Sequence, residues 1–479
     1  MKKYWASFES FIARPERVFL SLCLLFGLLS AFFVPQLSVS DENMHYLRAY
    51  ALADGRLESK RCTYPVDVNG RASSVYHGNI SADYSRPINR SELKTTSKCN
   101  SAVGYTPIMH APQTLGIFIA NLFNGSTGLT ILFGRIANLL FYALSVFFII
   151  KWVRIGKWVF AVVGLLPLMV HLAASLSSDV MTNVAIFLIT AMTLNLYTQE
   201  TPIRRRQVAG LLAIAALLAL TKAVNGLLLF PLLFLPERLF ISNTRLPKLP
   251  SLFKKLPFSL HKWALIAGAG IVSLAALLVW QKIYDGALLS SGAADNPLHH
   301  NPLGFIRILF NTYINPNIGY TDIVVRGSVG DFSSFKYHLP LFVLIPLFLL
   351  VFLALIKRDK AEEQALAPAA GRLAAANLTT VAVFIAAVSY AMYTAWALLP
   401  IRFGAGAYYA DGVQGRYFTA LLVLLIPCGV WLRKYIWFHT ASAKVFHALI
   451  FFGCGAILLY YTFGTYWAYH APIPVPPVA

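Results

Sequence analysis

Residues that could carry chemistry gather first at positions 40–48, where the chain reads Ser40-Asp41-Glu42-Asn43-Met44-His45-Tyr46-Leu47-Arg48. Ser40 suits a helix N-cap and Gly55 a helix stop, so a helix is expected between them. On it Asp41, His45 and Arg48 share one stripe, Glu42 sits roughly 100° round, and Met44, Leu47 and Ala51 form an apolar flank suited to a membrane surface. A carboxylate beside an imidazole and a guanidinium could take a proton from a sugar hydroxyl and hold an anion nearby. The same pattern fits plain helix chemistry, because acids in the first turn suit the helix dipole and i,i+4 pairs decorate exposed helices.

Five other groups stand out. Val103-Gly104-Tyr105-Thr106-Pro107 with His110-Ala111-Pro112-Gln113 reads as a rigid corner, for which turn formation is sufficient explanation. Arg135 and Asn138 fall inside an apolar run, where an arginine is costly and pairs or faces a cavity. Ser175-Leu176-Ser177-Ser178-Asp179 opens a further run; capping accounts for Ser178 and Asp179 as well as function does. Lys222, near Asn225, is a candidate phosphate contact or a lysine snorkelling to the interface. In Asp411-Gly412-Val413-Gln414-Gly415-Arg416-Tyr417, Arg416 suits a bidentate phosphate grip with Gln414 and Tyr417 beside it, and a glycine turn with an interfacial anchor is the plainer reading.

The elements that must position these residues are hydrophobic. Of 479 residues 57% are hydrophobic and only 13% charged, against roughly 25% charged in soluble domains. Runs of about 20 apolar residues cross a bilayer, and about eleven are expected: 18–36, 128–150, 158–174, 180–197, 208–221, 224–240, 263–280, 339–356, 374–398, 417–432 and 445–466. Residues 112–123 are too short to span and read as an interfacial helix. The fold class is therefore an all-α polytopic membrane protein. The first run lacks a small-residue cleavage site and is expected to stay as an anchor.

Orientation follows from charge. With Lys2, Lys3, Arg14 and Arg17 on the cytoplasmic side, Lys151/Arg154/Lys157, Arg204/Arg205/Arg206, Lys248/Lys254/Lys255, Lys357/Arg358 and Arg433/Lys434 also fall inside. Most of the net charge of +20 thus reports topology, not a nucleic-acid partner. The chain divides into a cytoplasmic tail (1–17), a membrane domain (18–466) and an outer Pro-rich tail (467–479). Long outer loops lie at 38–111 and 282–338, the first with amphipathic helices, and a shorter one at 400–415. Asp41, Glu42, Arg135, Asp179, Lys222 and Arg416 all reach that outer interface. No span carries an interior Asp or Glu, which disfavours an ion-coupled transporter. Five cysteines include no CxxC pair, against a zinc or redox site. Cys62 and Cys99 share the first outer loop and could form a disulfide in an oxidising compartment or remain thiols; Cys23, Cys428 and Cys454 read as small apolar fillers.

The segment DENMHYLRAYALADG, followed in order by YTPIMHAPQTLG, FGRIANLLFYAL, SLSSDVMTN, LTKAVNG and GVQGRYF, resembles the landmarks of a family of uncharacterised bacterial integral membrane proteins grouped with the GT-C superfamily of glycosyltransferases. The resemblance runs from about residue 19 to about residue 432 of the chain, as a span-rich domain should. His110 stands where that family's second landmark would have a tyrosine.

The resemblance implies a multispanning enzyme in the bacterial inner membrane with its active site on the outer face. It implies a polyprenyl-phosphate-linked sugar donor and a hydroxyl of a surface glycan or glycolipid as acceptor. Asp41 would be the general base, with Glu42 as alternate, in an inverting displacement. Arg416, Lys222 and Arg135 would hold the leaving phosphate, His45 and Arg48 would orient the acid or bind sugar, and Asp179, Gln414 and Tyr417 would belong to the same substrate- and phosphate-binding set. Some superfamily members bind a divalent ion at the acid, so Mg or Mn is an open cofactor. Two other functions remain open: a polymerase or ligase of lipid-linked glycans, and a transporter of lipid-linked sugars. Many transporters are built from inverted repeats, and no repeat is visible here.

Overall fold

The computed structural model describes residues 2–57, 62–65, 84, 87–89, 93–96, 105–240, 258–284, 296–315, 317, 339–398, 404–436 and 442–470. Among them the helices are α1 (Lys2–Ile12), α2 (Pro15–Phe33), α3 (Glu42–Ala53), α4 (Ala111–Leu122), α5 (Thr127–Trp152), α6 (Lys157–Gly164), α7 (Pro167–Ala173), α8 (Asp179–Tyr197), α9 (Arg205–Thr221), α10 (Phe258–Tyr284), α11 (Gly304–Tyr313), α12 (Leu341–Ile356), α13 (Lys360–Met392), α14 (Ile426–Leu432) and α15 (Ala443–His470).

Proline sets many of their limits, because its ring fixes φ and removes a donor. Pro15 opens α2 and Pro167 opens α7. The run expected to cross at 158–174 is therefore two short helices, α6 and α7. Pro231 lies within Ala223–Phe234, which is 3-10 rather than α-helical. The run at 417–432 likewise begins as 3-10 helix before α14. Six helical segments are long and apolar enough to cross a membrane: Pro15–Phe33, Thr127–Trp152, Asp179–Tyr197, His261–Lys282, Lys360–Ala397 and Ala443–Trp467. The other expected spans are shorter or interrupted helices. Exposed Leu274 and Val279 on α10, Phe348 and Phe352 on α12, and Phe452 and Phe463 on α15 are the side chains of helices that face hydrocarbon. The chain is a helical, multi-pass membrane protein.

The first loop contributes a short antiparallel ladder, Cys62–Tyr64 with Lys94–Thr96, in which Cys62 faces Thr96. Cys99, and with it the expected disulfide, lies outside the described residues, as do most of 58–104, 316–338 and the Pro-rich end. Cys23 and Cys454 are buried free thiols and Cys428 is half-buried, as apolar fillers should be.

Three elements carry the site toward the bundle. Helix α4 lies hard against α5: a Cβ on Gly116 would stand 2.2 Å from the Phe133 carbonyl oxygen. Helix α3 packs over this pair, its Tyr46, Ala49 and Tyr50 buried with Ile117, Ile131 and Leu176. Of the flank Met44, Leu47 and Ala51 expected to face a membrane, Ala51 is instead fully buried and Leu47 packs partly against this cluster, so the helix docks on protein there. Its partners are long-range, so no local pattern reveals them.

Candidate functional site

Asp41 precedes the first turn of α3 with φ +62°, a left-handed conformation that Asp tolerates better than most residues. Its carboxylate does not cap the helix. Instead it pairs with the Arg416 guanidinium through Nη2, a residue brought from the turn Gly415–Tyr417. Ser40, expected as the cap, gives its carbonyl to Arg416 Nη1 at 3.3 Å.

The ion pairs continue inward. Arg416 Nε stands 3.4 Å from Asp179 Oδ2, and Asp179 Oδ1 accepts from Lys222 Nζ at 2.8 Å. Asp41, Arg416, Asp179 and Lys222 therefore alternate in sign along one row. Asp179 starts α8, its backbone N–H donating to Ser177 Oγ at 3.3 Å; Lys222 ends α9. The row opens at its two ends: the Asp41 side chain is 54% exposed and Lys222 22%, whereas Arg416 and Asp179 are 6% and 8%. Lys222 Nζ also lies 4.7 Å from the Tyr417 ring centre and 5.9 Å from that of Tyr105, within cation–π range. Burial alone would lower the Lys222 ammonium, but Asp179 and the two phenols outweigh it and hold its pKa above the ordinary value. The lysine stays charged.

Glu42 and Arg135 stand apart from that row. Arg135 donates Nε to Glu42 Oε1 and Nη2 to Oε2, both at 2.7 Å, and neither side chain is exposed. The remaining guanidinium hydrogens go to the carbonyls of Ala31, Val34 and Pro35 at 3.1, 2.7 and 2.9 Å. A guanidinium has five N–H donors, and all are engaged. Glu42 also accepts from the backbone of Leu176 and Val39. The pair thus pins the α2–α3 corner to α5 and to the loop before α8. Arg135 is not brought to Arg416 and Lys222 as a further phosphate contact, and Glu42 has no oxygen turned to the open row.

The loop before α8 is held by two buried amides, Gln113 and Asn138. Gln113 Nε2 donates to the Ser177 carbonyl at 2.9 Å, and Asn138 Nδ2 to those of Ser175 and Ser177 at 2.7 and 3.2 Å. Buried amides beside a Ser-rich loop were the available signal, because such groups must find partners. Thr106 Oγ1 donates to the Leu220 carbonyl at 2.6 Å, fastening the Tyr105 corner to the segment that ends in Lys222.

That corner also holds a histidine pair. His45 Nδ1 and His110 Nε2 are 3.0 Å apart, and the His45 ring stacks on Tyr105 at 6.0 Å. Burial pulls the His45 pKa down to about 4, with Asp179 opposing and Arg416 assisting. Burial and then His45 itself lower His110 well below the ordinary imidazole value. Both rings are neutral at pH 7, so one shared hydrogen bond joins them. Arg48 is buried and donates to the Leu57 carbonyl at 3.4 Å, off the row. Gln414 acts through its backbone, its carbonyl accepting from Tyr417 N–H at 3.1 Å. Among the described residues no three His, Cys, Asp or Glu come together as a metal would need. Asp41 and Asp179 lend their oxygens to cations instead, so these residues do not fit a divalent ion.

The arrangement offers one exposed carboxylate beside two charge-matched cations. Residues 24–425 match the family described as "Predicted membrane protein (DUF2142)". No curated protein and no solved structure matches the chain.

Proposed function

The chain belongs to this family of predicted membrane proteins, and on that premise we propose that it is a membrane glycosyltransferase. It moves a sugar from a polyprenyl-phosphate carrier to a hydroxyl of a surface glycan or glycolipid. The observation that carries the reading is the row Asp41–Arg416–Asp179–Lys222, gathered from four distant segments into one chain of ion pairs whose ends are exposed or partly exposed. A base beside a phosphate grip is what transfer from a lipid phosphate needs.

In this reading the acceptor hydroxyl oxygen attacks the anomeric carbon from the face opposite the phosphate. The bond between that carbon and the phosphate oxygen breaks, and its electron pair leaves with polyprenyl phosphate. The hydroxyl proton passes to the Asp41 carboxylate, and the configuration inverts. The departing phosphate monoester gains negative charge, which Lys222 and Arg416 offset in a poorly hydrated site. Asp179 fixes both cations, so they need no reorganisation when charge develops. Glu42 and Arg135 position Asp41 through the α2–α3 corner. His45, neutral and stacked on Tyr105, forms a wall of the acceptor site. The Lys/Arg pattern of the loops supports a cytoplasmic N-terminus, which in this reading leaves the row on the outer face of the bacterial inner membrane.

The test compares surface glycans of cells carrying the wild type, Asp41→Asn or Arg416→Ala at equal membrane abundance. Both variants are expected to lose one sugar substituent by mass spectrometry. An unchanged glycan in both would remove the assignment.

A further inference from the structure

Arg416 is only 6% exposed, and each of its three nitrogens faces a partner. Nη1 is on the Ser40 carbonyl, Nε faces the buried Asp179, and Nη2 holds Asp41. Of these three partners only Asp41 carries an exposed side chain on a charge that can be exchanged. Lys222, by contrast, is partly exposed and has one carboxylate partner for its three donors.

The geometry points to Asp41 as a latch: its carboxylate and the phosphate of the lipid donor are alternate occupants of Arg416 Nη2. The inference rests on the transferase reading and adds an order of events to it. Phosphate meets Lys222 first, then displaces Asp41 from Arg416. While Oδ2 is held on Arg416 the carboxylate is aimed at the guanidinium, and it turns toward the acceptor hydroxyl once the donor takes that place. Charge supports the exchange. With Asp41 in place, two cations face two carboxylates and the row is neutral. With Asp41 released, Arg416, Lys222 and Asp179 leave a net single positive charge, matched to a phosphodiester. The left-handed backbone at Asp41 keeps the carboxylate outside the α3 capping position, free to swing. Donor therefore binds before the acceptor hydroxyl is deprotonated.

The experiment measures binding of a short-chain isoprenyl monophosphate to the full-length protein in nanodiscs. Removing the competing carboxylate in Asp41→Asn or Asp41→Ala is expected to tighten binding by about fivefold or more. The gain should vanish in the Arg416→Ala background. Affinity equal to or weaker than wild type in folded Asp41 variants overturns the latch. A second measurement uses the unmodified protein. Carbodiimide labelling of Asp41, read by peptide mass spectrometry, should rise when the isoprenyl phosphate is added; an unchanged or reduced rate also overturns it. The two ideas fail separately. Loss of surface sugar without tighter phosphate binding keeps the transferase and removes the latch. Tighter binding with an unchanged glycan keeps the latch and removes the transferase.

Discussion

Glu42 and Arg135 meet through two contacts of 2.7 Å, both side chains fully buried, one residue along from the exposed Asp41. Adjacent acids thus have opposite surroundings. Glu42 is locked into the fold, and Asp41 faces the opening. Breaking a buried pair strands its partner at a cost of about 3–5 kcal/mol. Glu42→Gln and Arg135→Leu should each lower the thermal unfolding midpoint of the purified protein substantially. Asp41→Asn, whose side chain is half exposed, should leave it nearly unchanged. Equal midpoints across the three variants would contradict this division.

Lys222 is the reachable cation. A charge-assisted hydrogen bond contributes about 1.5–3 kcal/mol, so Lys222→Ala should weaken use of the lipid phosphate roughly 10- to 100-fold. Lys222→Arg keeps the charge and should recover part of that loss. The comparison is of KM for the donor in isolated membranes; equal values for Ala and wild type would remove Lys222 from the grip.

The ion-pair row and the buried Glu42–Arg135 pair are each partly legible in the sequence, for different reasons. Asp41, Asp179, Lys222 and Arg416 stand out because charges flanking apolar runs are few and must collect at an interface. Arg135, inside an apolar run, announces that it has a partner. That the partner is Glu42 and not a phosphate depends on α3 docking over α4 and α5, a long-range event. The i, i+4 and i+7 spacing of Asp41, His45 and Arg48 places them on one stripe, yet Asp41 leaves the helix with φ +62°. The stripe is thereby split, with only Asp41 on the open row. Apolar runs show where the chain is embedded, but Pro167 and Pro231 interrupt helices that composition alone reads as whole.

The His45–His110 pair predicts acid sensitivity. The folded-state pKa of His45 falls from the ordinary 6.5 to about 4, and that of His110 falls well below 6.5. Between these limits the unfolded chain binds more protons than the folded one, so stability rises with pH. The contribution is complete above pH 6.5 and is lost as pH falls toward 4. Unfolding midpoints measured across that window should drop on acidification. Replacing both rings, His45→Phe with His110→Phe, should flatten the drop; an equally steep acid loss in the double variant would contradict it.

Gly116 permits the close contact of α4 with α5 next to Arg135. A Cβ there would meet the Phe133 carbonyl oxygen at 2.2 Å and its carbon at 2.6 Å, atoms of a rigid backbone. Overpacking of this kind costs about 1–3 kcal/mol. Gly116→Ala should therefore lower the unfolding midpoint, and Gly116→Val more so. The variants should also lose activity together with stability, because the displaced α4 carries Gln113 away from the Ser177 carbonyl. Wild-type stability in Gly116→Val would refute the close contact.

The central claim is that Asp41 serves a transfer in which a lipid phosphate leaves. It is tested most directly with purified protein in proteoliposomes, supplied with native membrane lipid donors and glycan acceptor, by following free polyprenyl phosphate. Wild type should release polyprenyl phosphate only when acceptor is present, and Asp41→Asn should slow release about 10²- to 10⁴-fold, the usual contribution of a general base. Equal release by Asp41→Asn and wild type, or donor crossing the bilayer with its sugar still attached and no phosphate released, would contradict the account.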